Sequence, residues 1–266
     1  MSTRDDPGLH WDRWPNAGTR EEYRRLRLIE EAYDAHTIPQ LERLDPRPGW
    51  RCLEIGAGAG SIARWLAGRV GAANVVATEL KTEFLAPIEE QGIRVVQHDV
   101  TVDAPVGTAF DLIHARLVLE HLPARDDVMA RLASWLAPGG WLVLEECSFF
   151  PPMAADPVFR RVEEALMKLL AASVGTDLTW GRTFPLPFER AGLTDTDAVV
   201  SSPVLRGGST FAEVLEVLLV AAAPGLVASG MVTSDDVDGA VTMLRDDHAM
   251  VDYSILGIIG RGRRGA

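Results

Sequence analysis

The chain has 266 residues, is 47% hydrophobic and carries a formal charge of −12. That is enough to bury one full core, and too acidic for general affinity to a polyanion, which needs a basic face to displace counterions. No long apolar run, secretory leader or basic amphipathic start is visible, so neither a membrane span nor export is expected and the cytoplasm is the expected location.

The elements follow in chain order. His10, Trp11, Trp14 and Pro15 make an aromatic segment that can fold over a ligand. Thr19 and Glu22 read as a capping box, after which Tyr23, Leu26, Ile29 and Tyr33 share a helical face, and Thr37-Ile-Pro-Gln40 reads as a second helix start. Arg51 to Ile55 reads as a short buried strand, then Gly56, Gly58 and Gly60 form a turn, and Ile62, Trp65, Leu66 and Val70 recur at helical spacing. Glycine suits a sharp strand-to-helix turn where backbone comes close to a ligand.

Asn74 to Glu79 and Ile93 to Asp99 read as strands ending in acids. Phe110 to Pro123 reads as a fourth strand and its loop, and Leu136 to Glu145 as a helix end, turn and fifth strand. Asp156-Pro157 opens a helix with Val158, Val162, Leu166 and Leu169 on one face, and Thr183 to Ala191 forms a shorter one. A strand is expected over Thr194 to Leu205. Thr210 and Glu213 cap a helix that buries Val214, Leu218 and Leu219, its antiparallel partner follows over Ser234 to Leu244 across the Pro224-Gly225 break, and Tyr253 to Arg261 closes the chain as a strand. Alternating strands and helices predict a mostly parallel sheet covered on both faces. Cys52 and Cys147, with no Cys-x-x-Cys spacing, read as buried thiols with no disulfide.

The run Glu54-x-Gly-x-Gly-x-Gly60 departs from the dinucleotide fingerprint Gly-x-Gly-x-x-Gly, because Ser61 stands at the last glycine position. With the acids after the second and third strands and the two later segments in register, the chain resembles the class I S-adenosylmethionine-dependent methyltransferases, of the bacterial type that tailors metabolites or natural products. The resemblance implies an α/β, Rossmann-like, seven-stranded, mostly parallel sheet with the last strand antiparallel, helices on both faces and an added helical cap. It implies one domain over 1–266: an N-terminal helical lid (1–48), a cofactor-binding core (49–149), a helical insertion (150–192), and the last two strands (193–266) with a cap insertion at about 208–248.

The resemblance also assigns a donor site. Glu54, Gly56, Ala57, Gly58 and Gly60 form the loop; Glu79, followed by Leu80, takes the ribose hydroxyls; Asp99, followed by Val100, takes the adenine amino group; the Ala115-Arg116 backbone lies near the methionine part. S-adenosylmethionine is the cofactor and S-adenosylhomocysteine its product.

Methyl transfer from a sulfonium needs an aligned acceptor and a dry site more than a strong catalytic group. For a hydroxyl acceptor, histidine is the first choice of base. His121 and His114 are the candidates, with Glu120 behind them because a carboxylate must be desolvated before its pKa rises usefully. Trp11, Trp14, Tyr23, Glu145 and Gly208 are candidate acceptor contacts. His10, His36, His98 and His248 read as surface or structural, and no cluster has metal-ligand spacing. The reading is methyl transfer to a small-molecule acceptor, with oxygen favoured over nitrogen or carbon, no nucleic-acid or membrane partner, and a homodimer left open. Two alternatives stand beside it: a non-methylation reaction on the same fold, such as a cyclisation, and a nonenzymatic sensor of the donor.

Overall fold

A computed structural model describes residues 19–248 and 251–265; Trp11 and Trp14 lie outside them. The central strands β1 (Cys52–Ile55) and β4 (Phe110–Arg116) are buried on both faces over most of their length, so their burial does not alternate, and the polar Glu54 and His114 within them pair with one another. They are joined by β2 (Val75–Glu79), β3 (Arg94–Gln97), β5 (Leu136–Phe149), β6 (Thr194–Ser201) and β9 (Ile255–Arg263) in one seven-stranded sheet. The order is β3-β2-β1-β4-β5-β9-β6, and β9 runs antiparallel to both its neighbours. A small ladder of β7 (Leu205–Arg206) and β8 (Val251–Asp252) stands apart. Strand order reverses between β1 and β4, so the crevice beyond their carboxyl ends is where this architecture places a ligand.

Helices α2 (Ser61–Val70), α3 (Ala86–Glu89), α4 (Arg125–Trp135) and α6 (Leu186–Arg190) complete the core. Above the strand ends lie α1 (Arg20–Glu42), α5 (Pro157–Val174), α7 (Thr210–Ala228) and α8 (Ser234–Arg245). Phe159 and Leu166 of α5, Leu215 and Leu219 of α7, and Val237 and Leu244 of α8 share one apolar cluster with Phe149 and Ile255. The cap is thus continuous with the ends of β5 and β9.

Several boundaries differ from the sequence reading. No second helix starts at Thr37: α1 runs unbroken through Pro39, and packing of Leu41 into the core holds the turn that proline weakens. The expected strand to Leu205 ends at Ser201, ahead of Ser202-Pro203, because proline cannot donate to a ladder. α7 is capped by Ser209, one residue earlier than expected, and continues through Pro224-Gly225. Its buried stripe is Leu215, Leu219 and Leu226; Val214 and Leu218 are only half-buried. With 19 residues and a mean hydropathy of 1.9 over an 18-residue window, α7 is long and apolar enough to cross a membrane by length and composition, contrary to the expectation of no long apolar run.

The underside of α1 is more polar than its apolar periodicity suggests. Ser61 N–H, the first amide of α2, donates to Glu30 Oε1 at 2.8 Å, and Ser61 Oγ to Asp34 Oδ1 at 2.9 Å. Arg116 Nη1 donates to Asp34 Oδ1 and to Thr37 Oγ1, each at 2.9 Å. This seam docks α1 over the strand ends and makes it one wall of the crevice.

Candidate active site

A cavity of about 310 Å³ fills that crevice, bounded by the glycine loop, the ends of β2 and β4, and helices α1 and α7. At one end, Gly56 and Gly58 have φ of +65° and +59°. A Cβ on Gly56 would lie 2.5 Å from Val118 Cγ2, so the loop closes on the segment after β4 only with glycine there. Gly58 N–H donates to Glu79 Oε2 at 3.1 Å and Leu80 N–H to Glu79 Oε1 at 2.8 Å. Glu79 lines the cavity, and each of its carboxylate oxygens can accept a further hydrogen bond. Burial raises the pKa of Glu79 against the pull of those two amides. Asp99 and Val100 also line this end; Asp99 Oδ1 is engaged by the amide and hydroxyl of Thr101. His98 is buried against the same wall, with Nε2 3.0 Å from the Ala104 carbonyl.

The other end is mostly apolar, with Phe149, Leu170, Phe211, Val214 and Leu218 among its walls. His121 and Glu120 enter it from the single turn after β4. His121 Nδ1 lies 3.0 Å from Thr176 Oγ1, and Nε2 lies 3.5 Å from Glu120 Oε1. Burial, reinforced by the charges of Arg25 and Arg125, lowers the His121 pKa to about 3, so the imidazole is neutral. Glu120 accepts from the Cys147 amide at 2.9 Å and its thiol at 3.3 Å. Burial raises its pKa, as it does for neighbouring Glu146, where the proximity of Glu120 adds to the effect. Two carboxyls so placed do not both ionise near neutrality. Both cysteines are free and buried, Cys147 on the cavity wall.

Several expected site residues lie elsewhere. His114 faces Glu54 across the β1–β4 ladder, its Nδ1 2.8 Å from Glu54 Oε2, and is wholly buried away from the cavity. Glu54 itself reaches the cavity wall; His114 does not. Ala115 is buried in the ladder between Ile55 and Leu144, so the chain meets the cavity at Arg116. Gly60 sits behind the loop, where a Cβ would come 2.9 Å from Ile88. Glu145, expected to touch the acceptor, instead accepts from the Thr37 hydroxyl in the buried seam under α1. Gly208 is exposed and precedes the Ser209 cap, its amide on the Leu244 carbonyl at 2.8 Å; it is a helix entry. Tyr23 is exposed and packs its ring on Phe84 at 5.3 Å. Tyr33 lines the cavity although its spacing marks it only as part of an apolar stripe, and nothing local in the sequence ties Thr176 to His121.

The model of the methyltransferase domain family matches residues 21–192, more than half of the chain, which therefore belongs to that family. Methyltransferase str2 of Strobilurus tenacellus is 34% identical over 166 residues, covering 61% of this chain and 60% of that protein. Methyltransferase GfsG of Streptomyces halstedii is 29% identical over 193 residues, covering 70% and 65%. The chain thus spans about three fifths of the length of the curated relatives it matches. Among solved structures, phosphoethanolamine N-methyltransferase 2 of Haemonchus contortus, in complex with phosphomonomethylethanolamine and S-adenosylhomocysteine, aligns with a TM-score of 0.59 at 17% identity. That match covers 91% of this chain and 57% of that one, and at this identity it shows the shared fold.

Proposed function

We propose that the protein transfers a methyl group from S-adenosylmethionine to a small, largely apolar acceptor bearing a hydroxyl. The observation that carries this reading is the single cavity: the Gly58–Glu79 cradle lies at one end and a neutral imidazole among apolar walls at the other.

Glu79 holds the ribose diol, Asp99 the adenine, and the loop from Glu54 to Gly58 with Arg116 the methionine part. Bound there, S-adenosylmethionine supplies an electrophilic methyl group on a sulfonium. The apolar wall of Phe149, Phe211 and Leu218 excludes water and favours a neutral acceptor over an ion. His121, unprotonated but only weakly basic with its pKa lowered to about 3, takes the proton at Nε2 as the oxygen gains the methyl group and becomes strongly acidic. Glu120 is a positioning residue: anchored by the Cys147 amide, it sets where that nitrogen faces.

The formal charge of −12 supports a small molecule over nucleic acid as acceptor. The test is release of S-adenosylhomocysteine from S-adenosylmethionine with a panel of uncharged phenols and alcohols. Acceptor-dependent release, with a mass gain of one methylene on the acceptor, supports the reading; binding of the donor with no release across the panel contradicts it.

A further inference from the structure

Tyr33 of α1 lines the cavity, is only 6% exposed, and packs its ring 5.5 Å from that of Phe211 on α7. Among the described residues its phenol makes no hydrogen bond to the protein, and its oxygen is not one of the fully buried unpaired atoms, so the hydroxyl is open to the cavity it lines and free to donate to a ligand there. Burial, with Cys147, Glu120 and Glu145 nearby, raises its pKa well above the usual value, so the group stays O–H and acts as a donor. Glu120, one of those neighbours, lies 3.5 Å from His121 Nε2. Phe211, on which the Tyr33 ring packs, lies against the apolar cluster that contains Cys147, and the Cys147 amide holds Glu120, so the phenol and the imidazole share one end of the cavity. Two of the cations on the cavity wall are already paired: Glu22 grips Arg25 through two bonds of 2.7 and 2.9 Å, and Asp34 holds Arg116.

We propose that Tyr33 determines acceptor specificity by donating a hydrogen bond to a second oxygen of the acceptor. The acceptor class is then an uncharged, mostly apolar molecule with an ether or carbonyl oxygen beside the hydroxyl that receives the methyl group. This rests on the methyl-transfer reading and narrows it: His121 takes the proton of one oxygen while Tyr33 fixes its neighbour. A simple alcohol would leave the phenol unpaired and bind more weakly.

The experiment is calorimetric titration of the full chain, saturated with S-adenosylhomocysteine, with 2-methoxy-4-propylphenol and with 4-propylphenol. Wild type is expected to bind the methoxyphenol about tenfold more tightly, the effect of one hydrogen bond. Tyr33→Phe is expected to remove that preference while keeping the melting temperature and the affinity for S-adenosylhomocysteine, because the ring still packs on Phe211. A preference retained in Tyr33→Phe, equal affinities in wild type, or binding of neither phenol overturns the inference. So does a large loss of S-adenosylhomocysteine affinity in Tyr33→Phe, which would assign the phenol to the donor. Failure of wild type to bind S-adenosylhomocysteine would instead remove the underlying reading.

Discussion

Glu54 and His114, opposite one another on β1 and β4, form a buried pair with Nδ1 2.8 Å from Oε2. The histidine is thereby spent on holding a cavity-facing carboxylate in place. His114→Ala leaves that carboxylate buried without its partner and is expected to lower unfolding stability by about 3 kcal/mol, read by urea denaturation. A variant of unchanged stability but lost turnover would restore His114 as a base.

The donor cradle predicts unequal losses at its two acids. Glu79 has both oxygens oriented by backbone amides, so Glu79→Ala removes two hydrogen bonds to a diol and is expected to weaken S-adenosylhomocysteine binding by about 2 kcal/mol, roughly 30-fold. Asp99 has one oxygen engaged by Thr101, and Asp99→Ala is expected to cost about threefold to tenfold. Calorimetry on both variants checks the order.

His121→Ala is expected to reduce turnover about 100-fold or more while leaving donor affinity unchanged. Because the His121 pKa is lowered to about 3, the imidazole remains unprotonated throughout the range from pH 5 to 8. Turnover should therefore not fall between pH 7 and 5 through loss of the base, whereas an unperturbed histidine would lose it below about 6.5. A pH–rate profile with an acid limb near 6.5 would contradict the assignment.

Away from the cavity, Glu163 is buried, accepts from the Ser254 hydroxyl, and has its pKa raised to about 8 by burial. A carboxyl whose folded pKa exceeds its unfolded value binds more protons when folded. It stabilises the fold below the unfolded pKa, and that contribution is lost as pH rises toward 8. Glu163→Gln, which cannot ionise, is expected to flatten the decline of melting temperature between pH 5 and 8. Parallel curves for the two proteins would contradict this.

Local signals made the glycine turn and the acid that ends β2 legible. The positive φ values at Gly56 and Gly58 and the acid ending β2 are written into short stretches that any strand–turn–helix must satisfy. The mostly parallel sheet was likewise legible from alternating strand and helix patterns, while its one antiparallel strand followed from the family resemblance. What was not legible depends on register and on distant packing. Glu54 meets His114 60 residues on, Glu145 meets Thr37 across 108, and His121 meets Thr176 across 55. Polar side chains destined for such pairs look like surface or site residues until the sheet assembles. Pro39 and Pro224 misled for the same reason, since tertiary packing outweighs the local cost of a proline within a long helix.

The most direct measurement is calorimetric titration of the purified chain with S-adenosylmethionine, S-adenosylhomocysteine and NAD in parallel. Micromolar binding of both sulfur ligands, with none of NAD, is the predicted result; no binding of either sulfur ligand would contradict the cradle built from Gly58 and Glu79, and methyl transfer with it.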